Sequence, residues 1–267
     1  MKPVSRRTQI ISQYQDPYTA AILEIGALDS PTYTRDAFNV KYADFAFSKE
    51  LSSHSKNNPR YNLERIVEVD YAVVGNKYSE MINSKFDIIV ANHVIEHVPD
   101  AIGWMHDLGK ILSPGGIVFL SVPDKRFTFD IARRETSFLD LLRAHVTRQA
   151  KPDFFNLLDH FWNHKSVKVA DVLAGRHHEL LKRRRFSPVA AIDIALQMAK
   201  RDYADVHCHV FTESTFEEIL ILLREFGYFA YEQVASFPVK ESSNEFNVVL
   251  GRYKESLYVD RIGKIEG

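Results

Sequence analysis

The stretch Phe86–Asp130, FDIIVANHVIEHVPDAIGWMHDLGKILSPGGIVFLSVPDKRFTFD, decides the fold. Phe86–Ala91 and Ile117–Val122 are short, continuous apolar runs, the pattern of strands buried on both faces. Between them Ile102, Met105, Leu108 and Leu112 recur at helical spacing over Asp100–Leu112, and Ser113-Pro114-Gly115-Gly116 predicts a turn into the second strand. A strand, a helix and a second apolar strand make a parallel α/β unit. Working outward, Ala21–Ile25, Val40–Tyr42 and Arg65–Val69 read as further strands on the N-terminal side. Beyond the unit, Thr215–Phe226 reads as an amphipathic helix, and Phe229–Phe237 and Phe246–Tyr253 as two closing strands. The connection Ser236–Glu245 has hairpin character, which turns the final strand antiparallel.

The remaining stretch, Phe138–Tyr203, has helical texture and no strand pattern. Between Leu141 and Arg201 it carries twelve Lys+Arg against five Asp+Glu, although the whole chain of 267 residues has a formal net charge of -1. A near-neutral protein has no global attraction to nucleic acid or to an anionic membrane. One cysteine, Cys208, excludes an internal disulfide and a cysteine-rich zinc site. The basic start MKPVSRR has no apolar stretch behind it, and no run reaches the length of a spanning helix. These features predict a cytoplasmic protein.

In an open parallel sheet, ligands bind beyond the carboxyl ends of the strands. Four such ends carry informative residues. Glu24-Ile25-Gly26-Ala27-Leu28-Asp29 places a glycine where the chain must turn sharply. Asp44 follows 20 residues after Glu24, the spacing at which a carboxylate accepts hydrogen bonds from ribose hydroxyls. Asp70-Tyr71 sets a carboxylate beside a ring, suited to adenine. Asn92-His93 opens the turn that runs on to Glu96-His97. Of a G-x-G-x-G pattern only Gly26 stands, with Leu28 and Ser30 in the other places, so a nicotinamide-binding fingerprint is missing.

In order along Ile22–Asp130, the pieces ILEIGALDSP, KYADF, VEVDY, FDIIVANHVIEHVPD and ILSPGGIVFLSVPDKRFTFD resemble the class I S-adenosylmethionine-dependent methyltransferases that act on small molecules. The segments VPDKRFTFD and DVHCHVFT resemble a bacterial subgroup often found beside glycosyltransferases. The resemblance implies an α/β, Rossmann-like seven-stranded sheet, mostly parallel with an antiparallel last strand. It implies one domain over residues 1–267, with a helical insertion after the fifth strand as a cap at about 138–203. Glu24, Gly26, Ala27 and Asp29 are then expected to wrap the methionine part of S-adenosylmethionine, with Asn92 and His93 flanking it. Asp44 is expected on the ribose, and Asp70 with Tyr71 on the adenine. Only 13 residues separate Gly26 from Val40, which shortens the usual first helix to about a turn and leaves one side of the site more open.

Methyl transfer to a hydroxyl needs an aligned acceptor and a base. The candidates at the sheet's ligand edge are His93, His97, Asp124 and the pair His207 and His209. In an extended segment His207 and His209 face the same way, offering a base or two ligands of a divalent metal beside Asp124. Two histidines do not by themselves assign a metal, and none is assigned. Arg176-His177-His178 and Lys182-Arg183-Arg184-Arg185 form the densest basic stretch, matched to a phosphate or a lipid-linked group. Subgroup resemblance points to O-methylation of a sugar or glycan hydroxyl. A small-molecule O- or N-methyltransferase of secondary metabolism and a catalytically silent binding module are the alternatives.

Overall fold

Strands β1 (Ile22–Ile25), β2 (Val40–Asp44), β3 (Tyr71–Ala72), β4 (Phe86–Asn92), β5 (Leu112–Pro123), β6 (Tyr231–Phe237) and β7 (Glu245–Tyr253) form one sheet ordered β3-β2-β1-β4-β5-β7-β6. It is seen in a computed structural model that describes residues 5–56, 61–75, 77–174, 181–182, 184–201, 203–241 and 243–259. Neighbours from β3 to β5 pair in parallel, and β7 runs antiparallel to both β5 and β6. The strand that closes the chain is therefore the reversed one, as the sequence predicts. The order reverses between β1 and β4, which places the ligand crevice of such a sheet beyond Ile25 and Asn92. Reversal also brings the first residue of β7, Glu245, opposite Pro123 at that same edge.

Alternation along the central strands sorts two cores. Leu23, Ile25, Ile89, Ala91, Val118 and Leu120 join one apolar cluster, and Ile22, Val40, Ile88, Val90, Ile117 and Phe119 join the other. Helix α1 (Arg6–Ile11) closes the second cluster with Ile10 and Ile11. After α2 (Ser48–Ser55) and α3 (Tyr78–Met81), helix α4 (Ala101–Lys110) covers the first. The Asp100 side chain caps α4 by accepting from the Gly103 N–H at 2.9 Å. The cap carries α5 (Phe138–Val146), α6 (Phe154–Asn163), α7 (Val169–Leu173) and α8 (Pro188–Met198). It has a small core of its own, formed by Leu157, Ala195, Ala204 and Val206. Helix α9 (Glu213–Glu225) then returns to the sheet with Phe216, Ile219, Leu220 and Leu223 buried.

Two expectations shift. Arg65–Val69 is not a strand: Ser48 Oγ donates to the Val67 carbonyl and accepts the Val69 N–H, and the Val67 N–H goes to the Leu28 carbonyl. Those bonds replace a ladder, so pairing with β2 is limited to Tyr71 and Ala72. The Ser113–Gly116 segment lies inside a long β5, with a register shift opposite Phe86 and Ile88. Between β1 and β2 the helix is reduced to one turn, where Ala37 and Phe38 donate to the Thr34 carbonyl.

Candidate active site

Gly26 sits at φ +69°, and a Cβ there would stand 2.9 Å from Val94 Cγ2. The turn after β1 thus lies directly against the turn after β4, and only glycine allows it. Glu24, fully buried, accepts the N–H of Thr32 at 2.7 and 2.9 Å and that of Tyr33 at 3.1 Å. Burial pushes its carboxyl up, partly offset by those bonds. Its role is to shape the loop across the crevice. Asp29 accepts the Asn62 N–H at 2.8 Å, so the side left by the short first helix is bordered by the segment Asn62–Val67.

Asp44 ends β2 at 6% exposure. Among the described residues, one of its oxygens accepts its own neighbour's Phe45 N–H at 2.8 Å, and no bond reaches the other. Burial raises its pKa to about 6. An unshared buried carboxylate at this edge suits a vicinal diol. Asp70 is different. Its carboxylate accepts from Arg35 at 2.5 Å, from Lys41 Nζ at 3.0 Å and from the Tyr42 N–H at 2.8 Å. It clamps β2 to the segment before β3, and the expected adenine contact has no free oxygen there. Tyr71 is half-buried against the main core.

Beyond β4, Asn92 donates to Thr32 Oγ1 at 2.9 Å and accepts from Ser121 Oγ at 2.9 Å, with Asn247 donating to the same Ser121 oxygen. This seam ties the ends of β1, β4, β5 and β7. His93, at φ +53°, meets Glu245 Oε2 through Nε2 at 2.8 Å, and Arg7 of α1 grips the same carboxylate. Burial disfavours the His93 charge, but Glu245 and Glu96 outweigh it and raise the pKa to about 9. Glu96 lies in the following turn, fully buried. Among the described residues neither of its oxygens has a hydrogen-bond partner. Its Oε1 is 3.6 Å from His93 Nδ1, 3.8 Å from His97 Nε2 and 4.0 Å from His207 Nε2. Burial opposes ionisation of Glu96, yet the imidazoles hold its pKa below the usual range.

The last elements come from the strap Tyr203–Val210. Tyr203 stacks on Phe45 with ring centroids 3.8 Å apart, across the end of β2. Asp205 Oδ1 lies 3.0 Å from His97 Nδ1. Asp130 Oδ2 lies 2.5 Å from His207 Nδ1, and Arg133 holds Asp130 at 2.9 Å. Among the described residues His97 Nδ1 makes no hydrogen bond despite standing 3.0 Å from Asp205. Two imidazoles, one bonded to an aspartate and one beside an aspartate, thus bring their Nε2 atoms to within 4.0 Å of Glu96 Oε1. The expected pairing of His207 with His209 fails because Cys208 sits in a bend, its N–H and that of His209 both donating to the Glu96 carbonyl. His209 turns to the Pro99 carbonyl at 3.0 Å, and burial lowers its pKa to about 4. Asp124 is no base either. Fully buried, it accepts from Arg126 Nε at 2.8 Å and Nη2 at 2.7 Å, and caps the turn after β5. The expected His207–His209–Asp124 grouping is not assembled.

Four of the groups that build the centre, Glu96, Asp130, Asp205 and Glu245, were not singled out by sequence reasoning. Glu96 stands inside the very turn that carries the resemblance, and Asp130 and Asp205 each lie in a segment quoted for it. The signal was a carboxylate within reach of a histidine once the chain folds, which linear spacing does not display. Of the basic stretch, Arg176, His177, His178 and Arg183 lie outside the described residues. Arg184 covers the Trp162 ring at 4.3 Å, and Arg185 meets His164 Nε2 at 3.0 Å. A cavity of about 420 Å³ opens between the turn after β5 and α7, lined by Arg126, Phe127, Ile131, Val172 and Leu173. None of the expected cofactor residues lines it. No described helix is long and apolar enough to cross a membrane.

Residues 14–233 match the family described as methyltransferase domain. The chain belongs to this methyltransferase family. A curated relative, a ubiquinone biosynthesis O-methyltransferase from Hydrogenovibrio crunogenus, is 24% identical over 125 residues, 45% of this chain and 50% of the relative. The chain thus spans about half the length of the curated relative it matches. Among solved structures, the CcbJ methyltransferase from Streptomyces caelestis aligns over 93% of this chain and 94% of its own, at 9% identity and TM-score 0.43. An S-adenosylmethionine-dependent methyltransferase from Mesorhizobium loti aligns over 93% and 98%, at 14% identity and TM-score 0.42. S-Adenosylmethionine is the cofactor that such a methyltransferase uses. The residues fit it: a glycine turn that a Cβ would block, and a buried carboxylate with a free oxygen at the neighbouring strand end.

Proposed function

We propose that this methyltransferase methylates a hydroxyl oxygen of a small polar acceptor, a sugar or glycan, with the chain acting as one domain and the helices of residues 138–203 covering the acceptor. When bound, S-adenosylmethionine supplies an electrophilic methyl group and leaves as S-adenosylhomocysteine. Asp44 holds the ribose hydroxyls, and the Gly26–Asp29 turn with Asn92 borders the methionine part. The observation that carries the oxygen acceptor is the convergence of His97 and His207 Nε2 on the buried Glu96 carboxylate. With each Nδ1 facing an aspartate, each Nε2 is presented to whatever enters, and a hydroxyl is the group such a polar centre polarises. The curated relative's name, an O-methyltransferase, supports the same atom. Sugar as the acceptor rests on the likeness of VPDKRFTFD and DVHCHVFT to glycosyltransferase-associated proteins.

The test is to incubate the protein with methyl-labelled S-adenosylmethionine and a panel of nucleotide-sugars, free glycosides, phenols and amines. A label recovered as a methyl ether on a sugar supports the full reading. A label on a phenol keeps the oxygen and rejects the sugar; a label on nitrogen rejects both.

A further inference from the structure

We propose that Glu96, His97 and His207 bind one divalent first-row transition-metal ion, beside the cofactor site and open to one oxygen ligand. The three offer one carboxylate oxygen and two imidazole nitrogens, all within 4.8 Å of one another. Two histidines and a glutamate are a donor set for zinc and its neighbours rather than for magnesium or calcium, which prefer oxygen alone.

The spacing separates this site from an ordinary ion-pair cluster. Where imidazoles here meet their outer carboxylates, the atoms approach to 2.5 Å at Asp130, 2.8 Å at Glu245 and 3.0 Å at Asp205. Around Glu96 the same kinds of atom stand 3.6, 3.8 and 4.0 Å away. Ligands about 2.1 Å from a shared ion lie roughly 3.0–3.4 Å from each other, so Glu96 must draw in by about half an ångström on each imidazole, and the two imidazoles, within 4.8 Å of each other, must close by up to about 1.5 Å to seat the ion. Without it, a wholly buried carboxylate is compensated only by imidazoles at 3.6–4.0 Å and makes no hydrogen bond among the described residues. Asp130, hydrogen-bonded to His207 Nδ1 at 2.5 Å, is an outer carboxylate of the kind that orients a metal-bound imidazole, and Asp205 stands 3.0 Å from His97 Nδ1. The side chain of His97 is 27% exposed, which leaves a path inward. Three protein ligands keep a position open. An acceptor hydroxyl fits there, so the ion's purpose rests on the reading above while its binding does not.

The experiment is calorimetric titration of Zn²⁺ and of Co²⁺ into chelator-treated protein, with Co²⁺ visible absorption as a second readout. One ion per chain is expected, weakened at least tenfold in Glu96→Gln and in His207→Gln, about 1.4 kcal/mol or more. Asp130→Asn is expected to weaken it less, through orientation. Should a variant lose cooperative thermal unfolding, pulsed EPR of the Mn²⁺-loaded wild type decides, by showing or lacking coupling to two imidazole nitrogens. Wild-type protein that takes up neither Zn²⁺ nor Co²⁺, or variants that bind like wild type, overturn the proposal. S-Adenosylhomocysteine binding, titrated in parallel, separates the outcomes: cofactor bound without metal leaves the methyltransferase reading intact and removes only the ion.

Discussion

Asp44 shows how the role proposed for one residue stands against stability. Its pKa moves from 3.8 to about 6 on folding, so the stability it contributes is full below pH 3.8 and lost as pH rises through about 6. At neutral pH the ionised group costs up to about 3 kcal/mol. Asp44→Asn is therefore expected to raise the melting temperature of the free protein at pH 7 while weakening S-adenosylhomocysteine at least tenfold by calorimetry. On the proposed reading, ribose hydroxyls donate to the ionised form. Wild-type affinity should accordingly fall about tenfold per unit below pH 6, and the Asn variant should show no such slope. Gly26→Ala is a different kind of lesion. Its φ of +69° and the 2.9 Å approach to Val94 predict about 1–3 kcal/mol of destabilisation, read as a lower denaturant midpoint, together with weakened cofactor binding. Asp124, by contrast, pairs bidentately with Arg126. Asp124→Ala strands no buried charge, since Arg126 is half-exposed, and should destabilise by about 1–2 kcal/mol through the lost cap yet leave kcat of the folded fraction near wild type.

At the scale of elements, the strap Tyr203–Val210 reaches both halves of the site. Tyr203→Ala removes the stack on Phe45, worth about 1 kcal/mol, and stopped-flow release of S-adenosylhomocysteine should quicken roughly fivefold. The elements legible in the sequence were those with a period. The runs Phe86–Ala91 and Ile117–Val122 alternate between two cores, and Phe216, Ile219, Leu220 and Leu223 mark one face of α9. What was illegible depended on single bonds at a distance. The segment Arg65–Val69 has strand composition, but one hydroxyl, that of Ser48, satisfies its backbone in place of a neighbouring strand. Likewise Asp70 and Asp44 look equivalent as acids at strand ends. Arg35 and Lys41 occupy the first and leave the second free, a distinction held only in three dimensions.

Across the whole molecule, the sheet and the cap differ in how much they bury. The sheet has two extensive cores on its faces, whereas among the described residues the cluster joining the cap to the strap has four buried members, Leu157, Ala195, Ala204 and Val206. Hydrogen exchange followed by mass spectrometry should therefore find β1, β4, β5 and β7 slowest and α6–α8 markedly faster, with 203–210 slowing when S-adenosylhomocysteine binds. The candidate site divides in the same way: Gly26, Asp44 and Asn92 sit at strand ends that the sheet pattern places, whereas the polar cluster was not legible, because Asp205 and His207 arrive from more than a hundred residues after Glu96. A single eight-residue length of chain stacks on Phe45 beside Asp44 through Tyr203 and also carries Asp205 and His207 to the Glu96 cluster. On the proposed reading, one segment borders both the nucleoside and the acceptor, so S-adenosylmethionine is expected to bind before the acceptor and S-adenosylhomocysteine to leave after the methylated product, an order that product-inhibition kinetics checks.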